Sequence, residues 1–141
     1  MTNSENYRYQ VFRKASLARN FEEEVIANVK NKKIKIPVYV SAGQEFIAST
    51  IATICKLKKI KPLIFGQHRC HSTYLTFDGD KGKLIDELLQ RKTGCTKGMG
   101  GSASIHSTQI NMYGHDGLMG SNGPIGVGAC YATKKPTIIF L

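Results

Sequence analysis

No apolar stretch in this sequence approaches the ~20 residues that a membrane-crossing helix needs, so no membrane partner is expected. The N-terminal MTNSENYRYQ lacks the charged-then-apolar pattern of a secretion signal, and a cytoplasmic location is expected. The four cysteines, Cys55, Cys70, Cys95 and Cys130, form no CxxC pair and read as free thiols in a reducing compartment. A zinc site on HRCH would use His68, Cys70 and His71, which stand too close together, with no second ligand pair at matching spacing. Acidic residues are scarce, 10 against 20 basic ones, and the net charge is +10. Much of the excess lies in NVKNKKIKI and KLKKIK, with no stacking motif or recognition helix beside it, so nucleic acid is not an expected partner. Solvated lysines, an acidic protein partner or an anionic substrate remain. Neither G-x-G-x-x-G in a strand–turn–helix frame nor G-x-x-x-x-G-K-[ST] occurs, which removes both common nucleotide fingerprints.

What is present is one domain's worth of chain, read as a single domain over 1–141 with no internal repeat. From Tyr7 to Lys30, Val11, Ala15, Ala18, Phe21, Val25 and Val29 form one helical stripe, with Arg13, Arg19, Glu22 and Glu23 mostly off it. Gly43 opens a second helical pattern marked by Phe46, Ile47, Ile51, Ile54 and Leu57, and its SAGQE start offers backbone N–H groups to an anion or a partner. Leu63 to Gly66 reads as a buried strand, followed by a polar loop. Lys83 to Lys92 reads as a helix, and little regular structure is expected between it and Gly114. Gly123–Thr133 reads as a helix whose Gly126 and Ala129 permit close packing on a sheet. TIIFL has the unbroken apolar character of a central parallel strand buried on both faces. The alternation predicts an α/β layered domain with N-terminal helices ahead of the sheet.

Two loops carry the candidate chemistry. GQHRCHS directly follows a predicted strand, where open α/β folds gather their ligands. There Arg69 offers a rigid fork to phosphate oxygens and His68 a further donor; an ordinary carboxylate pairing of Arg69 is the competing reading. In YGHDGLMGSNGP, glycines flank Leu118 and Met119, so the backbone can approach a flat ligand closely or adopt positive φ.

In order, RNFEEE, AGQE, HRCH, ELLQRKTGCTKGMGGS and GHDGLMGSNGPIGVGA resemble the thiamine-diphosphate-dependent 2-oxo acid dehydrogenases. More closely, they are similar to the alpha subunit of the decarboxylating first component, as in pyruvate, branched-chain 2-oxo acid and acetoin dehydrogenases. The resemblance implies a three-layer thiamine-diphosphate-binding fold with a parallel sheet. It implies that His68 and Arg69 bind the cofactor's diphosphate, and that Gly117, Leu118 and Met119 contact its aminopyrimidine, Met119 as a prop. It implies oxidative decarboxylation of a 2-oxo acid, pyruvate first among them, with acyl transfer to a lipoyl-bearing core and an activating carboxylate from a beta subunit. This chain departs from the family at Tyr39 (often histidine), at Ser72 (usually glycine) and at GGSASIH, which places His106 two residues later. These departures bear on substrate more than on cofactor.

In the resembled family a strand like TIIFL runs into Gly-Asp-Gly, whose aspartate binds magnesium. Here the sequence ends one residue before that motif would begin, so the metal ligands are expected beyond Leu141. The expectation is an N-terminal part of an alpha subunit, truncated on the C-terminal side of its sheet and inactive alone. The alternatives are a split subunit or a non-catalytic module that docks an acidic partner.

Overall fold

The computed structural model describes residues 3–114 and 117–141. Helix α1, Asn3–Lys30, lies across α2 (Glu45–Leu57) and the short α3 (His71–Thr76). Its stripe buries Val11, Ala15, Ala18, Phe21 and Val25, while Val29 is exposed. Glu22, expected off the stripe, is fully buried on it. It follows Ala18 by four residues and precedes Val25 by three, the spacing that puts side chains on one helical face.

Helix α2 forms where its pattern predicts, but the buried face is the opposite one. Ala48, Ser49, Ala52 and Thr53 are buried, whereas Phe46, Ile47, Ile54 and Leu57 stand exposed. Small side chains let the helices approach closely. The polar ones cost little there, because Ser49 Oγ donates to the Glu45 carbonyl and Thr53 Oγ1 to the Ser49 carbonyl.

Strand β1, Leu63–Phe65, is the buried centre of a parallel sheet ordered β2–β1–β3 among the described residues. Ile64 lies beside Met112 of β2 (Met112–Tyr113) and Ile138 of β3 (Thr137–Ile139). The α/β character and the parallel sheet agree with the sequence reading. Elements it did not contain are α3, read as a polar loop, and, where little regular structure was expected, β2 and the single 3-10 turn Thr108–Ile110 before it. Two residues of strand are too few for a period to register. The α3 sequence HSTYLT is polar, yet His71, Ser72, Thr73, Tyr74 and Thr76 are all buried. Strand β3, expected to be central and buried on both faces, is half-buried at the edge of the described sheet, because its one paired neighbour is β1.

Helix α4, Lys81–Leu88, begins and ends earlier than the predicted Lys83–Lys92. Asp80 caps it by accepting from the Gly82 and Lys83 N–H groups, and Gln90 turns left-handed just beyond it at φ 56°. Helix α5, Asn122–Thr133, packs on the sheet through Gly126 as its sequence suggests. A Cβ there would stand 2.6 Å from Ile139 Cδ1 and 3.4 Å from Phe65 Cδ2. Gly126→Val is expected to lower stability by about 1–3 kcal/mol through overpacking. Gly128→Ala, which meets nothing within 4 Å, is expected to raise it by about 0.5–1 kcal/mol. Urea unfolding of the two variants checks the pair, and equal effects would contradict this packing. No helix among the described residues is long and apolar enough to cross a membrane.

Candidate functional site

Strand β1 is followed directly by Gly66, which is held from both sides. Its N–H donates to the Tyr113 carbonyl, and its carbonyl accepts from Asn122 Nδ2 at 2.7 Å. A Cβ at Gly66 would stand 2.9 Å from Met112 Cε, so glycine lets the chain leave the strand at this crowded point. Gln67, His68 and Arg69 therefore emerge above the carboxyl ends of the strands, and the Arg69 N–H donates to Gln67 Oε1.

Two concavities flank this loop. One, of about 20 Å³, brings His68 together with Leu118, Met119, Gly120 and Asn122. The other, of about 290 Å³, holds Arg69 against Gln44 and Ile47 of the α2 end and against Ile138 and Phe140. Thus the two loops singled out in the sequence meet at His68, while Arg69 faces the neighbouring hollow. Among the described residues Arg69 makes no ion pair, so the carboxylate pairing weighed from sequence does not occur among them. Leu118 and Met119 are 73% and 80% exposed, unusually open for large apolar side chains. Gly117 and Gly120, at φ +107° and +87°, supply the left-handed turns around them. His115 and Asp116, within the same motif, lie outside the described residues.

Behind the mouth is a buried polar network that the sequence reading missed. Glu22 Oε1 accepts from the N–H and the hydroxyl of Ser41, and Glu22 Oε2 lies 2.9 Å from His71 Nδ1. His71 Nε2 lies 2.9 Å from Ser102 Oγ, which accepts the Tyr39 N–H at 2.8 Å. Ser41 Oγ accepts the Ser72 N–H. Burial alone would push the Glu22 carboxyl up, but the hydrogen bonds from His71 and Ser41 outweigh it and hold it below the usual carboxylate range. The order Ser102–His71–Glu22 is that of a hydrolytic triad, yet all three are sealed from solvent and no substrate reaches the hydroxyl. His71 is committed to Glu22 and Ser102, and the Cys70 thiol is buried and pushed up to about 12 by that burial, so neither joins His68 as a ligand. No cluster of three metal-ligating side chains occurs among the described residues.

A second buried carboxylate organises the glycine-rich loop after α4. Glu87 accepts backbone N–H groups from Thr96, Gly98, Gly100 and Gly101. Burial pushes its carboxyl up, and the Thr96 side chain, with the backbone N–H groups of Gly98, Thr96 and Gly101, brings it below the ordinary range. A Cβ at Gly94 would stand 2.4 Å from Glu87 Oε2, so a side chain there collides with the clamp. Two of the sequence motifs also meet: Arg19 of RNFEEE donates to both oxygens of Glu45 in AGQE, at 2.6 and 3.2 Å. Glu45 in turn accepts the Gly43 N–H, one of the groups read from sequence as open to an anion. For Glu22 the signal was an acidic residue three and four positions from stripe residues Val25 and Ala18; Glu45 lies off the apolar face read for α2 and carried no such signal.

A family model described as Dehydrogenase E1 component matches residues 13–138, from within α1 to within β3. The mitochondrial pyruvate dehydrogenase E1 component subunit alpha-1 of Oryza sativa subsp. japonica is 33% identical over 124 residues, 87% of this chain and 31% of that protein. The mitochondrial pyruvate dehydrogenase E1 component subunit alpha of Schizosaccharomyces pombe is 34% identical over 133 residues, 92% of this chain and 31% of that protein. The pyruvate dehydrogenase E1 component subunit alpha of Rickettsia prowazekii is 32% identical over 123 residues, 87% and 37% respectively. The chain spans about a third of the length of the curated relatives it matches. With the family model covering both strand-end loops and all three buried carboxylates, this chain belongs to the dehydrogenase E1 component family.

Proposed function

We propose that this chain is the N-terminal share of an alpha subunit of a 2-oxo acid dehydrogenase and supplies one side of a thiamine diphosphate site. The observation that carries the reading is the meeting of His68 with Leu118 and Met119 above the strand ends, with Arg69 alongside. On this side the residues fit the group. An arginine fork without an ion pair among the described residues and an adjacent imidazole suit a diphosphate. Exposed Leu118 and Met119 on a glycine-flanked turn suit the face of an aromatic ring. The concavity of about 20 Å³ cannot enclose such a molecule, which supports an opposing surface from a beta subunit.

When bound, thiamine diphosphate supplies the electron-sink chemistry that decarboxylates a 2-oxo acid. Arg69 binds and orients the diphosphate end, His68 holds a proton toward it, and Leu118 and Met119 exclude water from the ring side. Gly117 leaves its backbone open to approach. The described sheet and helices form part of a three-layer unit, one domain over 1–141, and pyruvate with a lipoyl-bearing core completes the reaction.

The test is a chemical-shift titration of the chain with thiamine diphosphate and magnesium chloride. Arg69→Ala is expected to weaken binding at least about tenfold, the worth of a charge-assisted hydrogen bond. Unchanged affinity, or no response of the His68 and Arg69 resonances at millimolar cofactor, overturns the assignment.

A further inference from the structure

The segment between α1 and α2 belongs to neither helix nor sheet, yet it carries Tyr39, whose ring meets His68 edge-on with centroids 5.4 Å apart. Two alternate residues of this segment are fastened through their backbone N–H groups, Tyr39 to Ser102 Oγ and Ser41 to Glu22 Oε1. Both anchors belong to the same buried network, and His71 bridges them: its Nδ1 is on Glu22 and its Nε2 on Ser102. Ser102 is itself placed by the glycine loop, because Glu87 clamps the N–H groups of Gly100 and Gly101 just before it. Two buried carboxylates, on α1 and α4, thus converge through His71 and Ser102 on one exposed ring at the mouth. His71 also starts α3, two residues after Arg69, so the same imidazole fastens the loop that carries both candidate diphosphate ligands.

We infer that Glu22, His71 and Ser102 are positioning residues that set Tyr39 against His68 and so fix the imidazole at the mouth of the site. The inference rests on the reading of His68 as a cofactor contact. It adds that Tyr39 carries positioning from the core to that contact. None of the three touches the cofactor. Their chemistry suits the task, since a carboxylate on one ring nitrogen fixes the tautomer and orientation that the other nitrogen presents to the serine. A hydroxyl that both meets the imidazole and accepts an N–H uses its donor and its acceptor capacity at once. An apolar residue at position 102 would fill the space without holding Tyr39.

The test is made on the 141-residue chain without cofactor, following the ring resonances of His68 by carbon–proton correlation, assigned with His68→Gln. Ser102→Ala is expected to move the His68 signals by several line widths, and Ser102→Thr, which keeps the hydroxyl, to leave them near their native positions. Ser49→Ala, which removes a buried hydroxyl bonded within α2, serves as the control for general loosening and is expected not to move them. His68 signals unmoved in Ser102→Ala, or moved equally by Ser49→Ala, overturn the inference. Should Ser102→Ala fail to fold, amide exchange in the unaltered chain decides. The Tyr39 N–H is expected to exchange about five- to tenfold more slowly than an open amide of the same segment, as one ordinary hydrogen bond dictates. Exchange at the open rate overturns the relay. Failure of thiamine diphosphate to perturb His68 would instead count against the functional reading, which the cofactor-free measurements do not address.

Discussion

Glu22→Ala is expected to destabilise the chain by about 3–5 kcal/mol, the cost of breaking a buried pair by removing one partner. The lost carboxylate leaves the Ser41 N–H, the Ser41 hydroxyl and His71 Nδ1 facing a void in a fully buried site. Against a total of about 5–15 kcal/mol for a domain, that is a large share. Glu22→Gln keeps the shape and one acceptor oxygen and is expected to lose about 1–3 kcal/mol. Urea unfolding with midpoint and slope measured separately checks both, and losses under about 1 kcal/mol for the two variants would contradict the network. The same carboxylate gives a pH signature. Its folded-state value lies below the ordinary one, so its stabilisation is complete above the unfolded value of about 4.3 and is lost as pH falls through the depressed folded value. The contribution of Glu22 is therefore expected to be complete above about pH 5 and to fall below about 4.3, so that the acid-side drop in stability is shallower in Glu22→Ala.

Glu87→Ala is expected to cost about 3 kcal/mol or more, because four backbone N–H groups lose the carboxylate they share and Gly100 alone keeps a second acceptor, Thr96 Oγ1 at 3.2 Å. The loss stays below four times the price of a single buried orphan, since the loop can open and let water reach some of these groups. Amide exchange at Thr96, Gly98, Gly100 and Gly101 is expected to rise to solvent-exposed rates while the amides of β1 keep their protection. Glu87→Gln, with a single acceptor oxygen, is expected to fall between. Selective loss of protection in those four amides distinguishes a clamp from general unfolding. Equal loss throughout the chain would mean that Glu87 acts on the core and not on the loop.

Much of the secondary structure is legible in the residues. The stripe from Val11 to Val25, the apolar LIF before a glycine, the KLIDELL pattern and the Gly126 contact all survive in the fold, because each is a local period or a local steric need. Six-residue α3 and two-residue β2 are too short for a period, and α3 is a helix whose polar side chains are buried by what packs around them. The outward turn of Phe46, Ile47, Ile54 and Leu57 is equally invisible locally. A helical period says that one face is apolar; it does not say which face its neighbour will take.

By itself the sequence determined the order of motifs that marks the family, the helical segments, and the two loops whose side chains meet above the strand ends. Only the tertiary structure decided which acidic residues are solvated and which are clamps. Glu22, Glu45 and Glu87 look like neighbours of Glu23, Glu24 and Asp86 in the chain, and a carboxylate's fate depends on donors that arrive from elsewhere. Those donors come from residues as far away as 49 positions for His71 and as near as 2 for Gly43, and no window along the chain contains them all. Burial of a charge is tolerable only where such donors converge, and convergence is a property of the folded molecule.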